Sequence, residues 1–413
     1  MTALYLQLIV FWGCTIFLVV RHRRVNIAVF LLSLYGISSA ASIYFINNIT
    51  FISEQDINIY AIIYYFIMVL ISVFPFTLYS NRLSETPLKL FNNKGKIELF
   101  VLFCSPFIIE IFFEYFYCFI TTQQDSLATI YEDDIDILTR KLSFIGRKIN
   151  YLFSFISYLW PILLIYSLKK NNKKMTYILL LQILNEFLKG YMCAGRVYLV
   201  RYVLYLVLVF LIGEATLSAK VKKYAIIGFV SVLSFIVVLL TYITVSRYDS
   251  MNSDSMDIMT WVSLYLGEGC LRFSQYVWNM DAISYGDTCF SGVKSLLGME
   301  TFTDNEIRRL HYEPILKIPT SIFYGYVGDI VIDFGKGIAF LLNLLCSFFT
   351  LKILKRVDKQ GYINGTQFFI LLIISNMIAF GFMYYVYKIY VVQIGLLVSI
   401  ILLSFLQSSK KNI

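Results

Sequence analysis

Two histidines in 413 residues, no C-x-x-C pair and no H-E-x-x-H spacing leave little from which to build a zinc site. Charge is scarce as well. Only 15% of the residues are Asp, Glu, Lys or Arg, against about 25% in a soluble domain, while 59% are hydrophobic. There is no internal repeat, no low-complexity segment and no shift of composition that would mark a soluble domain. No cleavable leader is expected, because the charges follow the first apolar run instead of preceding it and no small-residue cleavage site appears. These absences exclude an ordinary water-soluble enzyme.

What is present is a series of apolar runs, several of them reaching the roughly 18–20 residues that a membrane helix needs. Eleven spans are expected, at about 3–20, 26–46, 59–80, 98–120, 151–168, 175–190, 197–218, 224–246, 323–350, 367–387 and 389–406. Every second connection is basic. Those after spans one, three, five, seven, nine and eleven hold 20 of the 35 Lys and Arg residues. Cytoplasmic loops collect such residues, so the N-terminus is expected outside and the C-terminus inside. The net charge of +9 therefore belongs to the cytoplasmic membrane face, and nucleic-acid binding has no support. The expected architecture is one all-α polytopic domain over 1–413 with about eleven spans (10–12) and two outer loops, at 121–150 and 247–322.

The larger loop is the polar centre of the chain. From Arg247 to Tyr324 it carries ten acidic residues, six basic ones and His311. A loop this long is usually functional or disordered, and Trp261, Trp278 and helix-like stretches argue that it folds. A helix is expected from Asp257 to about Met280, with Glu268 four residues before Arg272 in the favourable order for a pair. Thr303-x-x-Glu306 reads as a capping box opening a short helix that Pro314 stops. Cys270 and Cys289 either form a disulfide or are two buried thiols.

Arg201 lies about one turn inside the seventh span, where an arginine needs a partner or a wet cavity. It either grips a lipid-linked phosphate or pairs with Glu186, Glu110 or Glu114. Arg196 precedes that span and Arg247 follows the eighth, both at the expected outer boundary. Glu110 and Glu114 share a helix face and suit proton transfer or the neutralisation of a buried arginine. Asp329 and Asp333 are also four apart, among glycines that permit close helix approach. They suit a sugar hydroxyl or an arginine, with an Asp333–Lys336 pair as the structural alternative. His311 is a candidate general base. Arg272, Glu268, Arg308 and Arg309 complete the candidates for substrate binding. Asp134-Ile135-Asp136 has the form of a metal-binding D-x-D, but so short a pattern is common by chance and a solvated acidic loop is the better reading; no metal or cofactor is expected.

The topology, with Gly195-Arg196 before the seventh span, Ser246-Arg247 after the eighth, and Thr320-Ser321-Ile322-Phe323 leading to Asp333-Phe334-Gly335-x-Gly337, resembles the bacterial O-antigen and oligosaccharide repeat-unit polymerases (Wzy-type). The loop arginines do not follow the R-x10-G repeat of some members. The resemblance implies a GT-C-like, metal-independent glycosyltransferase in the bacterial inner membrane. It would transfer the growing glycan from undecaprenyl pyrophosphate to an incoming lipid-linked unit on the periplasmic side. Arg196, Arg201, Arg247, His311 and Asp333 are then expected to be catalytic. Membrane lipid and a chain-length regulator protein are expected partners. A lipid-linked oligosaccharide flippase, an O-antigen ligase and a polyprenyl-phosphate-sugar glycosyltransferase remain alternatives.

Overall fold

The computed structural model describes residues 1–48, 57–91, 94–122, 141–192, 196–228, 230, 234, 258–320 and 322–407. In chain order the helices are α1 Thr2–His22, α2 Ile27–Asn48, α3 Ile59–Glu85, α4 Lys94–Thr122, α5 Phe144–Ile156, α6 Trp160–Lys169 and α7 Lys173–Met192. There follow α8 Arg196–Gly213, α9 Ile258–Arg272, α10 Ser291–Leu296, α11 Asn305–Leu316, α12 Gly325–Gln360, α13 Gly365–Phe380 and α14 Tyr390–Gln407. Two-residue strands, β1 Leu88–Lys89 and β2 Ile363–Asn364, pair in parallel.

Seven helices among the described residues are long and apolar enough to cross a membrane: α1, α2, α3, α4, α8 with its 3-10 extension, α12 and α14. The pair α5 and α6, bent by 72°, raises the number to eight if it is one span. The chain is an all-α, multi-pass membrane protein. Two expected spans look different in the structure. α7 is helical over 20 residues but carries Lys173, Lys174, Glu186 and Lys189. α13 stops at Phe380 after 16 residues, and a short 3-10 turn, Val386–Lys388, precedes α14. Most of the expected eighth span lies outside the described residues.

The chain groups into two compact units. The first comprises Met1–Glu85, Met259–Gly361 and Ile370–Ile394. In it α2 packs on α1, and α3 packs on α12. Pro75 inside α3 has no N–H, so the carbonyl of Ile71 loses its helical partner. Ser347 of α12 supplies one, its hydroxyl donating to that carbonyl at 2.8 Å. One turn earlier Ser72 donates to Asn343 Oδ1 at 2.7 Å, and the Asn343 amide donates to the carbonyl of Met68 at 2.8 Å. Polar side chains thus repair one helix and join it to another. α9 lies close on α2 because Gly267 has no side chain; a Cβ there would stand 2.4 Å from the backbone nitrogen of Ser42.

α12 is two helices joined at Gly335, whose φ of 71° and ψ of 166° are non-helical. The break frees the carbonyl of Ile332, which accepts from the backbone N–H of Ser284 at 2.9 Å. The described part of the central region, 258–320, is folded, with α9 continuing into a π-helical turn, Phe273–Val277. The expected start of α11 needs correction. Asp304, not Thr303, caps it, its carboxylate accepting from Glu306 N at 2.7 Å and Ile307 N at 3.1 Å. Nor does Pro314 stop it; the carbonyl that proline deprives belongs to exposed Leu310, and the helix ends at Lys317 in a left-handed conformation.

The second unit comprises Thr86–Ile258, Tyr362–Phe369 and Gly395–Ile413. Here α7 packs on α4 and α6, and the Asn185 amide donates to the carbonyl of Ile108 at 3.0 Å. Pro106 leaves the Leu102 carbonyl free, and neighbouring Ser105 donates to it at 2.8 Å. Glu114 accepts from Ser143 N at 2.9 Å and from the Ser143 hydroxyl, fixing the cap of α5. Glu110 is exposed. The two carboxylates are therefore not a buried pair, and Glu114 serves a helix start.

Candidate functional site

In the first unit α11 turns Arg308, Arg309, Tyr312 and Leu316 to one side, the spacing that one helix face requires. The first half of α12 brings Asp329 and Ile332 to the same place, and the turn before α14 brings Lys388. Together with Thr288, Thr320 and Tyr324 they line a pocket of about 390 Å³ including its open mouth.

Arg308 is 6% exposed. Its Nη1 donates to the carbonyls of Asp287 and Thr288 at 3.3 Å and of Lys388 at 3.2 Å. Its Nε and Nη2 bond to none of the described residues. Arg309 Nε donates to the carbonyl of Thr320 at 3.0 Å. Lys388 Nζ lies 3.2 Å from both oxygens of Asp329 and 4.6 Å from the centre of the Tyr384 ring. Three cations therefore face one carboxylate, and the Arg308 guanidinium is anchored by one nitrogen while keeping donors to spare. That arrangement suits an oxyanion with two or more acceptor atoms.

The loop between Ser284 and Cys289 is clamped from two sides. Asp333, fully buried, accepts from the Ser284 hydroxyl at 2.5 Å, Thr288 N at 2.9 Å and Cys289 N at 2.5 Å. Expected to be catalytic, it is committed to holding this loop. The alternative pair with Lys336 is also absent: Lys336 Nζ donates to the Trp278 carbonyl at 3.0 Å and stands 4.5 Å from that ring. Asp287 accepts from Lys294, Thr301 and Tyr312. Burial pushes its carboxyl pKa up, but these donors outweigh it and hold it below the usual value. Burial and the bond to Asp287 push the Tyr312 phenol up.

Glu268 and Arg272 form the expected pair at 4.0 Å, away from the pocket lining. Burial pushes Glu268 up to about 7 against the pull of Arg272. His311 is exposed, its ring centre 4.8 Å from Phe302 and 4.9 Å from Tyr312, and it does not line the pocket. Cys270 and Cys289 are buried free thiols; no disulfide joins them.

Arg201 belongs to the second unit. It is buried, 4.7 Å from the Tyr198 ring centre and 5.7 Å from that of Tyr158. Glu186, a partner expected for it, accepts from Gln182 at 3.2 Å and from the Tyr198 hydroxyl. Arg247, the Arg196 side chain and the acidic run 132–136 lie outside the described residues. Among the described residues no three His, Cys, Asp or Glu side chains gather as a metal site.

Comparison with known families, curated proteins and solved structures returns no match. The pocket therefore has to be read from its own chemistry. It joins Arg308, Arg309 and Asp329, all expected substrate-binding residues, and adds Lys388, Tyr312 and Thr288, which sequence reasoning missed. Lys388 had a signal, being the only charged residue between Lys359 and Lys410. A lone lysine in so apolar a stretch needs a counter-charge. Tyr312 and Thr288 had none.

Proposed function

We propose that this chain is a membrane glycosyltransferase that polymerises lipid-linked oligosaccharide repeat units, and that the pocket around Arg308 receives the anionic leaving group. One observation carries the reading: among the described residues a buried guanidinium is anchored through Nη1 alone, in a cavity that Arg309 and Lys388 also line. In the reaction, a hydroxyl of the incoming unit attacks the anomeric carbon of the growing glycan. The bond from that carbon to the carrier pyrophosphate breaks, and its electron pair leaves with the pyrophosphate. Donors fixed in advance stabilise the charge as it develops. Asp329 lines the same pocket and takes the hydroxyl proton, while Lys388 holds it in place. Eleven crossings and an outer location of the pocket belong to the same proposal, and the outward placement rests on the alternation of basic connections. A GT-C-like arrangement, catalytic roles for Arg196, Arg201 and Arg247, the undecaprenyl pyrophosphate carrier and a chain-length regulator as partner are also part of it and rest on the resemblance to the repeat-unit polymerases.

The break in α12 at Gly335 favours a second reading, a transporter of lipid-linked glycans, since interrupted helices are common in transporters. Purified protein in vesicles loaded with lipid-linked repeat units separates the two. A polymerase lengthens the glycan; a transporter moves it across the bilayer unchanged. Arg308→Lys keeps a donor for the three carbonyls but loses the planar fork, and is expected to lower chain growth about 10²–10³-fold with normal protein abundance. Full-length glycan ladders from well-inserted Arg308→Lys and Arg308→Ala protein would remove the pocket from the reaction.

A further inference from the structure

The pocket leaves one apolar surface of the first unit unexplained. Phe290, Val293, Leu296, Leu297 and Met299 are all exposed on α10 and the residues that flank it, Leu297 to 71%. Apolar side chains clustered in this way mark a surface with a partner.

Three observations identify what covers it. The first is its level. Ser295 Oγ lies 3.4 Å from the Tyr390 hydroxyl, and Gly292 N donates to Gln393 Oε1 at 2.6 Å. Tyr390 and Gln393 form the first turn of α14, a helix apolar enough to cross a bilayer. α10 is thus fastened beside the end of a helix apolar enough to span, and the end of a span is where hydrocarbon gives way to headgroups. The second is charge. Lys294 is the only charged residue between Asp287 and Glu300, and it is drawn away by its 2.5 Å ion pair with Asp287. Without that pair an ammonium would border the apolar group. The third is shape. The chain turns back at Gly298, with φ of 71° and no atom within 4 Å of where a Cβ would be, so the tip stands clear of the protein around it.

We propose that Leu296, Leu297 and Met299 insert into the apolar edge of the bilayer, making the α10 tip a lipid anchor beside α14. Burial of such side chains in acyl chains is the force that holds monotopic segments on membranes. The anchor also has a structural consequence. Asp287 and Thr288, whose carbonyls hold Arg308, lie just before α10, so one wall of the pocket is fixed at membrane level. The inference stands whether or not the pocket takes a glycan carrier.

Leu297→Trp in the full chain, reconstituted in phospholipid vesicles, tests it. The emission added to that of the four native tryptophans is obtained by difference from the parent protein. With lipids brominated along the acyl chains, at least about half of the added emission is expected to be quenched, while aqueous iodide leaves it nearly unchanged. Met299→Trp repeats the test should Leu297→Trp fail to accumulate. Quenching by iodide and not by brominated lipid would overturn the anchor in favour of a solvent-facing tip. Quenching by neither would overturn it in favour of a protein-covered surface.

Discussion

Glu268 illustrates how burial and an ion pair compete for one proton. Its guanidinium neighbour is 4.0 Å away, yet desolvation prevails and the carboxyl rises from 4.5 to about 7. Between those values the folded chain binds more protons than the unfolded one. Stability from this group is therefore fully present below about pH 4.5, is lost as pH rises to about 7, and changes little beyond. Glu268→Gln removes the titration. The gap in melting temperature between variant and parent, measured in detergent, is expected to widen in the variant's favour from pH 5 to pH 8; a constant gap would refute it. Charge in an apolar chain draws the eye, and Arg308, Arg309 and Asp329 were legible for that reason. Asp333 shares a helix face with Asp329, and spacing made both candidates, Asp333 as catalytic and Asp329 as substrate-binding. Three donors from the Ser284–Cys289 loop decide otherwise, and nothing local to Asp333 announces them.

At the level of elements, the break at Gly335 is the sharpest conformational demand among the described residues. Its φ and ψ fall in a region essentially reserved for glycine, costing other residues about 1–3 kcal/mol. The nearest atom to a Cβ there is Ile283 Cγ2 at 3.8 Å, so Gly335→Ala has room and the penalty is one of backbone conformation. A loss of about that size is expected in denaturant or thermal unfolding. Gly337→Ala, with nothing within 4 Å and helical backbone, should be neutral or mildly stabilising. Equal effects of the two would mean that the break does not depend on glycine. Apolar runs and helical spacing made α1 to α4, α9 and α12 legible. Helix ends were less so: a cap is one or two hydrogen bonds, and Thr303 and Asp304 both have suitable chemistry. The break in α12 is invisible to composition because glycine also reads as a packing residue.

For the whole molecule, the alternation of basic connections predicts orientation. Reporter fusions are expected to place Lys170 and Lys355 inside and Asp134 and Asp287 outside; an inside signal at Asp287 would end the outward reading of the pocket. Each compact unit is assembled from three stretches of chain, and the stretches interleave. Both units therefore remain unfinished until late in synthesis. Before Lys388 is made, Asp329 lacks the ammonium that lies 3.2 Å from both its oxygens, and Arg308 lacks one of its three carbonyls. A nascent or prematurely stopped chain thus carries a carboxylate without its ion-pair partner where the finished protein has a closed pair. A membrane protease that senses such faults would discriminate against truncated copies through the same lysine that completes the site.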